Sequence, residues 1–354
     1  MSNNSTISPA RMAGLSIANP THVLRQSEVA RRAGELFGGN LASFDRLRPV
    51  YENAEIETRY SCVPIEWYQQ VHGFGERNRL FLDNAVDLLA QAANDALEKT
   101  GHSIEDIDGI VSVTSSGIAT PSLDALLMER LPFRRDIQRL PIFGLGCAGG
   151  VIGLARAAQM ARSQPGKLFL FLVVELCGLT FRSRDFSKSN VIATALFGDG
   201  AAAALVGTDL QGDAEIHNAG EHTWKNSLDV MGWDVTDDGL SVIFSRDIPT
   251  HVRTLMGDAM KGFLATEGLR LDEHDHFLSH PGGAKVLDAL EEIFGLTEGG
   301  LYHSRETLKN FGNMSAATVM FVVHAAIRDG LKGRALLSTL GPGFTAGFLS
   351  MELT

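Results

Sequence analysis

The 354-residue chain carries three cysteines, Cys62, Cys147 and Cys177. So small and odd a set builds no disulfide framework, no CxxC pair is present to suggest a zinc site, and a reducing cytoplasm is the expected setting. Positive charge is also scarce. The formal net charge of -11 removes the broad basic surface that nucleic acid binding requires. No apolar run is long enough to span a bilayer as a helix. The most apolar, Leu168 to Val174, has the length of a buried strand, and no secretory signal opens the chain. Walker, HExxH and GxGxxG motifs are missing, so nothing supports phosphoryl, metalloprotease or dinucleotide chemistry.

What remains is globular. Hydrophobic residues make up 44% and charged residues 21%, enough apolar material for a large core. Residues 1 to about 20 read as polar and loosely held at the start. Residues 81–100 have apolar side chains at helical spacing, with Asp83 or Asn84 as the cap and Gly101 after the end. Asp108 to Val113 follows as a strand, and alternating helices and strands indicate an α/β fold.

The chain echoes itself. Gly146-Cys147-Ala148 leads into a small-residue helix, a Pro-Gly-Lys turn and the strand LFLFLVVEL. Asn313-Met314-Ser315 leads into an apolar helix, a Lys-Gly-Arg turn and the strand ALLSTL. Each unit closes on a glycine-rich turn, FGDGAAAALVG at 197–207 and GPGFTAGFLSMEL at 341–353. The expected organisation is two related halves, 1–210 and 211–354, joined near residues 208–218.

Three residues stand where chemistry is feasible. Cys147 lies between a short apolar strand and a helix, at a turn made sharp by Gly144 and Gly146. The helix start there favours a thiolate, although an inert cysteine in a tight helix–strand contact fits the local pattern equally well. His280 ends the strand-like stretch His276–His280, before Pro281 and two glycines. It is either a residue held rigidly at a cleft or a plain strand cap. Asn313 precedes an apolar helix and reads as an N-cap, with an amide able to donate to an oxyanion. On general grounds Phe197 is a core residue and Asp199 a turn former.

The segments GLGCAGG (144–150), ELCGLTFR (175–182), LFGDGAAAALVG (196–207), DGLSVIFSRDIP (238–249), SHPGGAKVLDALE (279–291), GNMSAATVMFV (312–322) and GPGF (341–344) together resemble the type III polyketide synthases, the chalcone-synthase-like branch of the thiolase superfamily. The resemblance implies a homodimer of five-layered αβαβα subunits, with Cys147, His280 and Asn313 as catalytic residues. It makes Phe197 a gatekeeper and puts Val242 where the second gatekeeper phenylalanine would be. Ser116, Thr120, Cys177, Thr180, Trp233 and Ser315 match positions around the acyl cavity, with Thr120 on a loop that reaches the partner subunit. Arg46 and Lys285 match positions of CoA-binding cations, while Pro49 and Asn53 replace two others. Ser115–Asp124, Glu175–Cys177 and Met231–Asp234 are similar to bacterial alkylpyrone and alkylresorcinol synthases. The implied reaction is iterative decarboxylative condensation of malonyl-CoA onto an acyl-CoA starter, without metal or redox cofactor. Two rivals are a ketoacyl synthase III making one condensation and a papain-like thiol hydrolase, whose Cys, His, Asn order is the same.

Overall fold

The computed structural model describes residues 8–38, 44–245 and 247–354. Its strands are β1 (Ala10–Ala18), β2 (His22–Arg25), β3 (Thr58–Ser61), β4 (Gly109–Thr114), β5 (Gln138–Phe143), β6 (Leu168–Leu176), β7 (Asp199–Gly207), β8 (Ala214–Thr223), β9 (Met231–Thr236), β10 (Gly239–Phe244), β11 (His276–Ser279), β12 (Gly333–Gly341) and β13 (Thr345–Leu353). Nine of them form one sheet in the order β11-β12-β13-β8-β1-β7-β6-β4-β5. β4 runs parallel to β6, β6 antiparallel to β7 and β7 antiparallel to β1. The second half repeats this. β11 is parallel to β12, β12 antiparallel to β13 and β13 antiparallel to β8. The two runs meet where β1 pairs with β8 over Ala10–Met12.

Alternating side chains divide the core into layers. Along β6, Phe169, Phe171 and Val173 point inward to the helices Gly149–Ser163 and Thr318–Arg328. Leu170, Leu172 and Val174 point outward to the helix Phe74–Thr100. In the second half, Leu337, Leu349 and Met351 face the same central helices, while Leu336, Phe348 and Ala346 face the helices Gly257–Thr266 and Ala284–Phe294. Helices, sheet, helices, sheet, helices is the five-layered thiolase-like architecture. Its central layer is tight because its residues are small. A Cβ on Gly150 would lie 2.6 Å from Val319 Cγ1, and one on Gly149 would lie 2.6 Å from Val113 Cγ1.

Two sequence expectations change. The expected looseness at the very start falls on residues 1–7, outside the described residues, whereas Ala10–Ala18, within the segment read as polar, is the largely buried strand that joins the half-sheets. Short length and an internal glycine hid this strand from periodicity. The 81–100 helix starts earlier, at Phe74 after Gly73, and buries Arg77 and Phe81 in its first turns. Its polar first turns mask the helical spacing. Gly101 ends it in the left-handed conformation, φ 69°, as expected.

Gly150→Leu should destabilise the protein by about 3 kcal/mol or more, because backbone as well as side chains must move. Thermal denaturation checks this, and an unchanged midpoint would disprove the close-approach argument.

Candidate active site

Cys147 sits in a short 3₁₀ turn, Gly146–Ala148, that feeds the helix Gly149–Ser163. Gly144 and Gly146 take positive φ, 94° and 47°, which lets the chain reverse between β5 and the turn. Ser115 Oγ accepts from the N–H of Gly144 (3.2 Å) and of Gly146 (2.9 Å), and Thr339 Oγ1 donates to the Cys147 carbonyl at 2.6 Å. The nucleophile candidate is therefore held from both halves. Its thiol contacts Ser315 Oγ at 3.6 Å.

His280 directly follows β11, its N–H donating to Ser338 O at 2.8 Å. It is buried, and neither ring nitrogen has a hydrogen-bond partner among the described residues. Asn313 Oδ1 accepts from Ser315 N at 2.8 Å, a local cap, while its Nδ2 donates to Gly282 O at 3.2 Å in the turn after His280. The asparagine thus both caps a turn and ties two loops together.

Cys147, His280 and Asn313 line one cavity, with about 1460 Å³ of empty space including its mouth. Arg46 and Lys285 line the same cavity and are exposed to solvent, with Pro49 and Asn53 beside them. Burial pushes the Cys147 thiol up to about 12 and the His280 imidazole down to about 3. Each group alone is held neutral.

A second cavity adjoins the first, with about 750 Å³ of empty space including its mouth. Phe197, Cys177, Thr180 and Val242 line it. Trp233 lines neither cavity. Its indole N–H donates to Ser115 O at 2.7 Å and its ring stands edge-on to Phe197 at 6.1 Å. Ser116 is buried by a separate small pocket, its Oγ accepting from Leu176 N at 2.9 Å, and Thr120 is exposed outside both cavities.

Two side chains, Phe244 and Glu175, escaped the sequence reading, and Asp199 was read differently. Phe244, two residues beyond Val242, lines the Cys147 cavity with its ring 5.6 Å from that of Phe197. Strand alternation puts residues 242 and 244 on one face and was the available signal. Asp199 is fully buried at the start of β7, accepting from Gly178 N (2.8 Å) and Cys62 N (3.0 Å), with burial raising its pKa to about 6. It is a buried tie between segments, where a turn former was expected. Glu175 is fully buried beneath Cys147, accepts from Ser115 N at 3.0 Å, and is raised to about 7 by burial. Nothing in its strand pattern marks it, because its neighbours Val174 and Leu176 are pure core.

No cluster of His, Cys, Asp or Glu among the described residues could hold a metal ion, and no helix among them is long and apolar enough to cross a membrane.

The architecture and a cysteine facing a cavity between the two halves define a thiolase-class enzyme. Known proteins narrow this. Residues 5–210 match the N-terminal domain model of chalcone and stilbene synthases, and residues 215–350 match the C-terminal domain model. A Bacillus subtilis (strain 168) relative with a chalcone synthase name is 38% identical over 93% of this chain and 95% of its own. The 1,3,6,8-tetrahydroxynaphthalene synthase of Streptomyces peucetius subsp. caesius is 36% identical, over 96% of this chain and 92% of its own. The crystal structure of the Streptomyces coelicolor A3(2) tetrahydroxynaphthalene synthase superposes with a TM-score of 0.91 at 26% identity, covering 97% of this chain and 99% of that one. The chain belongs to the chalcone and stilbene synthase family, the type III polyketide synthases, which extend acyl thioesters by iterative decarboxylative condensation. The papain-like alternative is thereby excluded.

Glu175 also predicts a pH dependence. Its pKa rises from 4.5 to about 7 on folding. Between those values the folded state holds a proton that the unfolded state has lost, so this contribution is full below pH 4.5 and disappears as pH rises through 7. Glu175→Gln should cancel it. Relative to the unaltered protein, the variant should gain about 3 kcal/mol between pH 4 and pH 8, measured by denaturant unfolding. A difference that stays constant with pH would refute the buried, protonated carboxyl.

Proposed function

We propose that Cys147, His280 and Asn313 are the catalytic residues of a synthase that condenses malonyl-CoA repeatedly onto a long-chain fatty acyl-CoA, releasing alkylpyrones or alkylresorcinols. The observation that carries this is their convergence on one cavity whose mouth bears Arg46 and Lys285. Those two cations suit the phosphates of CoA. The halves 1–210 and 211–354 divide the work, one supplying the cysteine and the other the histidine and asparagine.

The chemistry follows from burial. A desolvated thiol and a desolvated imidazole ionise most cheaply together, the proton passing from Cys147 Sγ to His280 as an acyl-CoA arrives. The thiolate attacks the thioester carbonyl, CoA leaves, and the acyl group rests on Cys147. Malonyl-CoA then places its thioester oxygen against His280 and the free N–H of Asn313. Loss of CO2 breaks a C–C bond, and its electron pair forms an enolate whose oxygen these donors stabilise. The enolate carbon attacks the Cys147 thioester, expelling the thiolate and leaving a chain longer by two carbons on CoA. Return of that chain to Cys147 starts the next round.

A homodimer is part of the reading. β5 is an outer strand of the sheet and carries Phe143, 56% exposed, with Ile118 and Thr120 also exposed on the loop that follows its neighbour β4. A second copy covering that edge would bring Thr120 toward its partner. The three free thiols suit the cytoplasm.

The test is incubation with lauroyl-CoA and isotope-labelled malonyl-CoA, read by mass spectrometry. Alkylpyrone or alkylresorcinol products are expected. A single two-carbon extension on an acyl carrier protein would favour the ketoacyl synthase III reading, and no product across a panel of starters would sink the proposal. Cys147→Ala should abolish acyl loading. His280→Ala should slow malonyl decarboxylation by about 100-fold or more, the cost of losing an oxyanion donor.

A further inference from the structure

The Cys147 cavity has walls from both halves of the chain. The first half supplies a run from Arg46 to Ala54, and the second supplies the start of the helix Ala284–Phe294, with Lys285 in its first turn. The first-half run is a series of helical turns. Arg48 N donates to Phe44 O at 2.8 Å, Tyr51 N to Arg48 O at 3.2 Å and Asn53 N to Pro49 O at 2.9 Å. Turns closed in this way move as one piece, so the place of Arg46 depends on where the run is anchored. Its far end is anchored on the second half. Ala54 and Ile56 are buried in one apolar cluster with Leu287, Leu290 and Leu308. Between them Glu55 has φ 56°, a left-handed conformation that residues other than glycine, asparagine and aspartate seldom adopt.

Such a conformation persists only where its surroundings hold it. Here the holder is Arg305, on the helix Tyr302–Phe311. Its Nη1 donates to Glu55 Oε2 at 3.0 Å and its Nη2 to Asp288 Oδ1 at 2.7 Å. Nε and Nη2 together grip the Glu291 carboxylate at 3.0 and 2.7 Å. Glu291 is 3% exposed and also accepts from Leu301 N at 3.0 Å, so it fixes the guanidinium in place. Asp288 lies one helical turn beyond Lys285. One guanidinium therefore links the end of the Arg46 run to the helix that carries Lys285. A lone ion pair at the surface contributes little. This one differs because the arginine is already locked on its own half before it reaches across. Glu57 N donates to Lys309 O at 2.8 Å and secures the chain beyond Glu55, but not on the side toward Arg46.

We propose that Arg305, acting through Glu55, is a positioning residue that sets the separation of Arg46 and Lys285, and with it the affinity of the mouth for the phosphates of a CoA thioester. Arg305 lies outside the cavity lining and acts only through the walls it joins. The proposal rests on the reading of Arg46 and Lys285 as the CoA cations and adds what holds them at their spacing. A charge-assisted contact to phosphate is directional, so release of one wall should weaken binding by about fivefold without slowing the chemistry at Cys147.

The test compares acylation of Cys147 by lauroyl-CoA and by lauroyl-N-acetylcysteamine, which has the same thioester but no phosphate. Intact mass read over a concentration series gives the half-saturating concentration and the maximal rate. Glu55→Gly removes the carboxylate, and glycine accepts the left-handed conformation, so the path of the chain is kept. Glu55→Gln removes the charge and keeps the shape. Both should raise the half-saturating lauroyl-CoA concentration by about fivefold, with the maximal rate and the N-acetylcysteamine reaction unchanged. In an Arg46→Ala background Glu55→Gly should add nothing, because the cation it positions is already gone. Arg253→Ala breaks an ion pair with Glu292 on the same helix and serves as the control. An unchanged lauroyl-CoA response in both Glu55 variants, an additive effect in the Arg46→Ala background, or an equal loss with lauroyl-N-acetylcysteamine would overturn the proposal. If Arg46→Ala and Lys285→Ala themselves leave the lauroyl-CoA response unchanged, the CoA reading beneath it fails instead.

Discussion

The close approach of the two central helices is the constraint on which this molecule depends. Gly149 and Gly150 at the start of one helix admit Ala316 and Val319 at the start of the other, where any side chain would collide. The same contact brings the turn bearing Cys147 beside the turn bearing Asn313 and Ser315, 168 residues away from the cysteine in the case of Ser315. Precision here is mechanical. Thr339 of the second half holds the Cys147 carbonyl, and Ser115 of the first half holds the two glycine amides before it. In its proposed role as nucleophile, a cysteine fixed by both halves has little freedom to drift when a large thioester enters, and that rigidity is what positioning contributes to rate.

The electrostatics follow from the same packing. A site buried between two sheets strips water from every ionisable group it contains. Cys147, Glu175 and Asp199 are all pushed upward and His280 downward by burial as the largest cause. Such a site holds the Cys147 thiol and the His280 imidazole uncharged until a substrate brings partial charge with it. In the reaction proposed above, transfer of one proton from Cys147 to His280 creates both the nucleophile and the oxyanion donor, without importing an ion from solvent. The exposed Arg46 and Lys285 give the mouth the opposite environment despite the negative charge of the whole chain, and this is the end proposed to meet the phosphates of a CoA thioester.

The aromatic residues around Phe197 separate two spaces of different character. One carries Arg46 and Lys285 at its mouth, and the other is walled by Val29, Arg32, Ala33 and Phe37 of the N-terminal helix. Val242 and Phe244 share a strand face, because alternate residues do, and it is Phe244 whose ring meets that of Phe197.

The sequence by itself determined the α/β class, the repeated strand–turn–helix units and the local settings of Cys147, His280 and Asn313, because these depend on glycine turns, strand ends and short apolar periods. It could not disclose that β1 joins the half-sheets, because a nine-residue strand with an internal glycine has no pattern strong enough to mark it. It also could not disclose the burial of Glu175 and Asp199, which reflects what packs over them and not what adjoins them in the chain. The division into two cavities was decided only by the tertiary structure. Its walls come from residues 24–37, 59–69, 177–197 and 242–244, and no local signal relates segments so far apart before the sheet and its helices have closed around them.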